Sequence, residues 1–113
     1  MRTGKNYFQS AKDNEMVFRN VLRDLRDNRA QRPMGRYVPE DLETEAELET
    51  IFEKYSSGAR YGVFTIINFV VNKGVATIAF EDVACLSGGG ASLKYSVKDS
   101  AVEYLEPEYT MMS

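Results

Sequence analysis

The sequence contains no histidine and no tryptophan, and only one cysteine and three prolines in 113 residues. Without histidine the commonest general base near neutral pH and the commonest metal ligand are missing, so Ser-His-Asp and Cys-His chemistry are excluded. Cys85 cannot close an internal disulfide, and with no basic neighbour in sequence it reads as a buried structural thiol rather than a nucleophile. Apolar runs are short as well. The longest mainly apolar stretch, Val63 to Val71, is about half the ~20 residues that a membrane-spanning helix needs. Met1 to Asn14 holds no run of the secretory kind, which together with the lone cysteine sets the expectation of a reducing, cytoplasmic setting.

The remaining composition is that of an ordinary globular chain, 43% hydrophobic and 27% charged, and its length suits one domain over residues 1–113. The net charge of −3 conceals a partition. Residues 1–39 carry nine Lys/Arg against four Asp/Glu, whereas residues 40–113 carry five against thirteen. The two halves can neutralise each other on packing, or one can meet a charged partner.

Residues 1–12 are polar and short of helix signals, and a loosely ordered terminus is expected there. From Asp13 to Arg29, Val17, Phe18, Val21, Leu22 and Leu25 form one apolar stripe at helical spacing, with Asp13 or Asn14 as the cap. Pro33 and Gly35 mark a connection. A second helix is expected to open near Pro39 and run to Tyr55 before Ser56-Ser57-Gly58, with Thr44 and Glu47 at capping-box spacing.

The period then changes to that of strands. Tyr61 to Val71 and Val75 to Val83 form a hairpin about Asn72-Lys73-Gly74. A three-residue loop would set Val71 opposite Val75, and a two- or four-residue loop would set it opposite Ala76. The second register is preferred, because it gathers Val63, Thr65, Ile67, Phe69, Val71, Ala76, Ile78 and Phe80 on one face. Ser87-Gly88-Gly89-Gly90 reads as a flexible connection; it leads into a strand, whereas a phosphate-binding loop leads into a helix. Ser92 to Lys98 alternates cleanly as a third strand, and Ala101 to Glu106 is read as a fourth in preference to a short helix ended by Pro107. The fold expected is α+β: two N-terminal helices packed on a three- or four-stranded antiparallel meander.

Three features bear on function. Glu81 and Asp82 are adjacent on a strand and point to opposite faces, so they cannot act as a paired acid and base. Arg19, Arg23 and Arg26, followed by Arg29, Arg32 and Arg36, form a basic strip, but overall acidity disfavours nucleic acid, and Asp27 and the acidic second helix offer internal partners. Seven acids with no base run from Glu40 to Glu53.

No catalytic constellation, metal set or cofactor motif can be assembled, so a non-catalytic module is expected. The face of the hairpin away from the helices would carry Phe64, Ile66, Asn68, Val70, Thr77, Glu81 and Val83, with Val75 and Ala79 between them. An exposed apolar face marks an interface or a ligand site, here homodimerisation, with a small apolar ligand enclosed as a variant. The tail residues Tyr104, Tyr109, Met111 and Met112 are the internal alternative for covering it. The second functional expectation is an inhibitor or accessory protein that docks Glu43, Glu47 and Glu49 on a basic protein partner.

Overall fold

The computed structural model describes residues 3–33, 35–55, 64–82 and 89–106. Cys85, Val83, Tyr61 to Val63, Ser56-Ser57-Gly58, Tyr109, Met111 and Met112 lie outside the described residues.

The chain opens with a helix, α1 (Thr3–Asp13), where a loose terminus was expected. Its sequence signal is weak because few apolar residues recur along it. Packing supplies what propensity does not: Ala11 is fully buried, Phe8 meets Phe52 edge-on at 5.0 Å, and the helix lies against the first strand. Helix α2 (Glu15–Asp27) follows at once and buries the expected stripe of Val17, Phe18, Val21, Leu22 and Leu25. Full burial of each such side chain stabilises the fold by about 1.5–3 kcal/mol. Asn14 does not cap α2 through its side chain. Its Nδ2 donates instead to the Ser10 carbonyl at 3.0 Å, while its own carbonyl accepts from the Phe18 N–H at 2.9 Å, so the hydrogen-bond ladder passes through the break.

Two 3-10 turns, Arg29–Gln31 and Gly35–Tyr37, fill the connection around Pro33. The next helix is shorter than expected, because α3 covers only Leu48–Tyr55. Residues 38–47 form turns whose carbonyls are met by side chains. Arg29 Nε donates to Val38 O at 2.8 Å, Arg26 Nη1 to Leu42 O at 3.2 Å and Arg19 Nη1 to Thr44 O at 3.3 Å. Backbone acceptors satisfied in this way need no helix. Thr44 is fully buried and its hydroxyl has no partner among the described residues, so the capping box does not form.

Four strands, β1 (Phe64–Asn72), β2 (Val75–Asp82), β3 (Gly89–Lys98) and β4 (Ala101–Leu105), form an antiparallel meander in chain order. The α+β architecture expected from the sequence is therefore present, with a third helix added in front. Val71 pairs with Ala76 around a two-residue turn, Lys73-Gly74, with φ of 53° and 76° at the two positions. Positive φ at both is the geometry that matches strand twist in a two-residue hairpin. Strand β3 starts at Gly89, which pairs with Asp82, while Gly90 pairs with Glu81, so these two glycines belong to the sheet rather than to a flexible connection.

The preferred register holds only for part of β1. Ile66 pairs with Phe80 but Asn68 pairs with Ala79, which makes Ile67 an extra residue in a β-bulge. The bulge resets the alternation. Phe69, Ala76, Ile78 and Phe80 face the helices as expected, but on the far side of the bulge Phe64 and Ile66 face them too, and Ile67 is exposed.

All helices cover this one face. Phe18 on α2 stacks on Phe52 of α3 at 5.4 Å and meets Phe69 of β1 at 4.9 Å, so a chain of rings joins the three helices to the sheet. Toward the opposite edge, Asn20 donates to Ser100 O at 2.8 Å and Asp24 accepts from Tyr95.

Candidate functional site

The open face of the sheet is where the sequence places an interface, and the bulge changes its composition. Phe64 and Ile66 are 3% and 0% exposed in the core, so they are withdrawn from that face. Asn68, Val70, Thr77 and Glu81 remain on it by register, and Val83 lies outside the described residues. Residues from β3 and β4 take the place of those lost. Val70 pairs with Thr77, Thr77 with Lys94 and Lys94 with Leu105, so one row crosses all four strands. Beside it run Asn68, Ala79 and Ser92, and on the other flank Asn72, Val75, Ser96 and Glu103. Four large apolar side chains are exposed among the described residues, and three of them, Ile67, Val70 and Leu105, belong to this face. Its charges are balanced: Lys94 and Lys98 against Glu81 and Glu103.

The electrical partition of the sequence is met in part inside the molecule, where two ion pairs among the described residues join the basic half to the acidic one. Arg23 pairs with Glu45 rather than with Asp27, Arg29 with Glu40 at 3.3 Å and Lys54 with Glu43 at 3.4 Å. Asp27 pairs with its neighbour Arg26 at 3.1 Å. The Arg23 guanidinium holds the Glu45 carboxyl below the usual carboxylate range. Hydrogen bonding to Tyr55 and Glu43 raises Lys54 above the usual lysine range. Glu47 and Glu49 are exposed and line a cleft of about 350 Å³ with Phe8, Lys12, Glu15, Arg19 and Leu48.

A polar network ties the helical layer to β3 and β4. Arg32 places Nε 2.8 Å and Nη2 2.9 Å from the two oxygens of Asp24, and Asn28 Nδ2 donates to the same carboxylate at 3.1 Å. Tyr95 donates its hydroxyl hydrogen to Asp24 Oδ2 at 2.6 Å. The Arg32 guanidinium also lies 4.2 Å from the centre of the Tyr104 ring, which meets Tyr95 edge-on at 5.5 Å. Tyr104 therefore faces the helical side and is not a cover for the open face. The bond to Asp24 strengthens the hold of Arg32 on its proton, against the opposing effect of burial. Burial, reinforced by the anionic acceptor, pushes the Tyr95 phenol well above its ordinary range.

Sequence reasoning missed Asp24, Arg32 and Tyr95 as a unit because their partners are 71 and 8 residues apart. The one legible signal was Tyr95 on the apolar side of an alternating strand. A buried tyrosine requires a partner for its hydroxyl.

Among the described residues no group of three or more acidic or thiol side chains is placed to hold a metal, and no helix is long and apolar enough to cross a membrane. Comparison with models of protein families, with curated proteins and with solved structures found nothing that matches this chain.

Proposed function

We propose that this protein is a non-catalytic module that self-associates through the open face of its sheet. The observation that carries the reading is the row Val70, Thr77, Lys94 and Leu105 across all four strands, with Ile67 beside it. Helices cover the other face, while Ile67, Val70 and Leu105 are exposed on this one with Thr77 and Lys94 between the two edges, and large apolar side chains gathered on an exposed face support an interaction surface.

Charge complementarity favours a second copy as the occupant. A two-fold interface sets the same patch against itself, and a face with two lysines and two glutamates can pair its own unlike charges across such an axis. A basic or acidic partner would be met by like charge in half of these positions. A small apolar ligand would meet Thr77 and Lys94 in the middle of the row, so a second copy is also preferred to it on this face. Docking of the acidic segment on a basic protein ranks below both, because Glu40, Glu43 and Glu45 already have cationic partners.

Sedimentation equilibrium over a wide concentration range tests the proposal. The wild type forms a dimer, and the double substitution Val70→Lys, Leu105→Lys gives a monomer with unchanged circular dichroism. A wild type that stays monomeric at its highest soluble concentration overturns it.

A further inference from the structure

The two 3-10 turns fold residues 28–33 and 35–38 into a tight hook. Gln31 N–H bonds Asn28 O at 2.9 Å, Arg32 N–H bonds Arg29 O at 3.3 Å, Gly35 N–H bonds Arg32 O at 2.8 Å and Val38 N–H bonds Gly35 O at 2.9 Å. The hook closes because residue 35 is glycine: a Cβ there would stand 1.8 Å from the Arg29 carbonyl oxygen. Its concave side is a cleft of about 430 Å³, a volume typical of small-molecule sites, lined by Arg29, Ala30, Arg32, Gly35 and Arg36.

The three arginines differ in how far their charge is used. Arg32 is committed to Asp24 through both ends of its fork. Arg29 shares an ion pair with Glu40, whose side chain is 81% exposed and therefore screened by water. Arg36 forms no ion pair with any described carboxylate. It is nevertheless held in place, with its guanidinium 5.0 Å from the centre of the Tyr37 ring and Nη2 3.1 Å from the Tyr37 hydroxyl. Its Nε and Nη1, and Nη2 of Arg29, donate to none of the described residues. A positioned guanidinium with open donors is the arrangement that binds planar or tetrahedral oxyanions in bidentate fashion.

We propose that this cleft is a binding site for a small ligand bearing one oxyanion group, a phosphate or a carboxylate, with Arg36 as its principal anchor and Arg29 as the second donor. The site is independent of self-association, because it lies on the hook rather than on the sheet. A long polyanion is a poor occupant, since the remainder of the chain, residues 40–113, carries an excess of eight negative charges.

Titration of the full chain with inorganic phosphate, and separately with acetate, at constant ionic strength and followed by amide NMR shifts tests this. Saturable shifts confined to the amides of residues 29–38 are expected with at least one of the two ions, and the ion that gives them identifies the chemistry. Arg36→Gln weakens that binding about tenfold while amides elsewhere keep their positions, and Arg36→Lys, which keeps the charge but loses the fork, weakens it less. Shifts that grow linearly without saturation for both ions, or saturable shifts unchanged by Arg36→Gln, overturn the proposal.

Discussion

Tyr95 on β3 donates a 2.6 Å hydrogen bond to the carboxylate of Asp24 on α2, and this joins the helical layer to the sheet across 71 residues of sequence. Tyr95 is fully buried, and Asp24 holds Arg32 and Asn28 in the same arrangement. Removing the hydroxyl therefore leaves the carboxylate with other donors, while removing the carboxylate strands several groups at once. Tyr95→Phe is expected to cost about 1.5–3 kcal/mol, the range for a hydrogen bond to a charged group, and Asp24→Ala about 3 kcal/mol or more. Urea unfolding midpoints at constant slope measure both.

The same bond has an alkaline signature. The Tyr95 phenol is raised in the folded state, so the folded protein holds this proton at a pH where the unfolded chain has lost it. Stability from this group is complete below the unfolded value of about 10 and falls as pH rises above it. The stability difference between wild type and Tyr95→Phe should be constant from neutrality to about pH 10 and shrink beyond it, as read from denaturant melts at each pH.

The two hairpin turns share one backbone geometry and differ in whether glycine holds the second position. Lys73-Gly74 and Asp99-Ser100 both have positive φ at both positions, and the second position is at 76° for Gly74 and 77° for Ser100. A side chain in this region costs about 1–2 kcal/mol, which glycine avoids. Ser100→Gly is expected to raise stability by about 0.5–1 kcal/mol, since the bond from the Asn20 side-chain amide to the Ser100 carbonyl is kept. Gly74→Ala should lower it by about 1 kcal/mol or more, although a Cβ there has room, with Val97 O as its nearest contact at 4.0 Å. Thermal melts of the two variants should move in opposite directions.

Deleting Ile67 removes the extra residue of the bulge. Ile66 stays opposite Phe80 and Asn68 opposite Ala79, so the shortened strand alternates regularly with Phe64, Ile66 and Phe69 all toward the helices. The deletion is therefore expected to change stability by no more than about 1 kcal/mol, whereas turning two buried side chains outward at about 1.5–3 kcal/mol each would cost about 3–6 kcal/mol. Ile67→Ala keeps the bulge and, the site being 42% exposed, should change stability little. Equilibrium unfolding of the two variants checks both, and a loss of about 3–6 kcal/mol on deletion would show that the extra residue is needed to keep Phe64 and Ile66 in the core.

The sequence by itself determined whatever depends on local period and turn chemistry. The stripe from Val17 to Leu25 needed only helical spacing to be read, and the apolar pattern, against the three-residue loop that Asn72-Lys73-Gly74 suggests by turn chemistry, selected the pairing of Val71 with Ala76. The alternation of Leu93, Tyr95 and Val97 likewise placed β3 with one wet face. Tertiary structure decided what depends on partners distant in sequence. Helix α1 exists because Phe8 and Ala11 find a core to enter, and residues 38–47 are not helical because arginines of α2 and the following turn meet their carbonyls. The bulge at Ile67 is of the same kind. Thr65, Ile66 and Ile67 all suit a strand, and only the choice between a buried Phe64 and Ile66 and an exposed pair, made by the volume under the helices, sets where the extra residue goes. Because side chains on a strand alternate with a period of two, that single residue removed the two largest apolar groups from the face expected to meet a partner and left Val70, Thr77, Lys94 and Leu105 to define it.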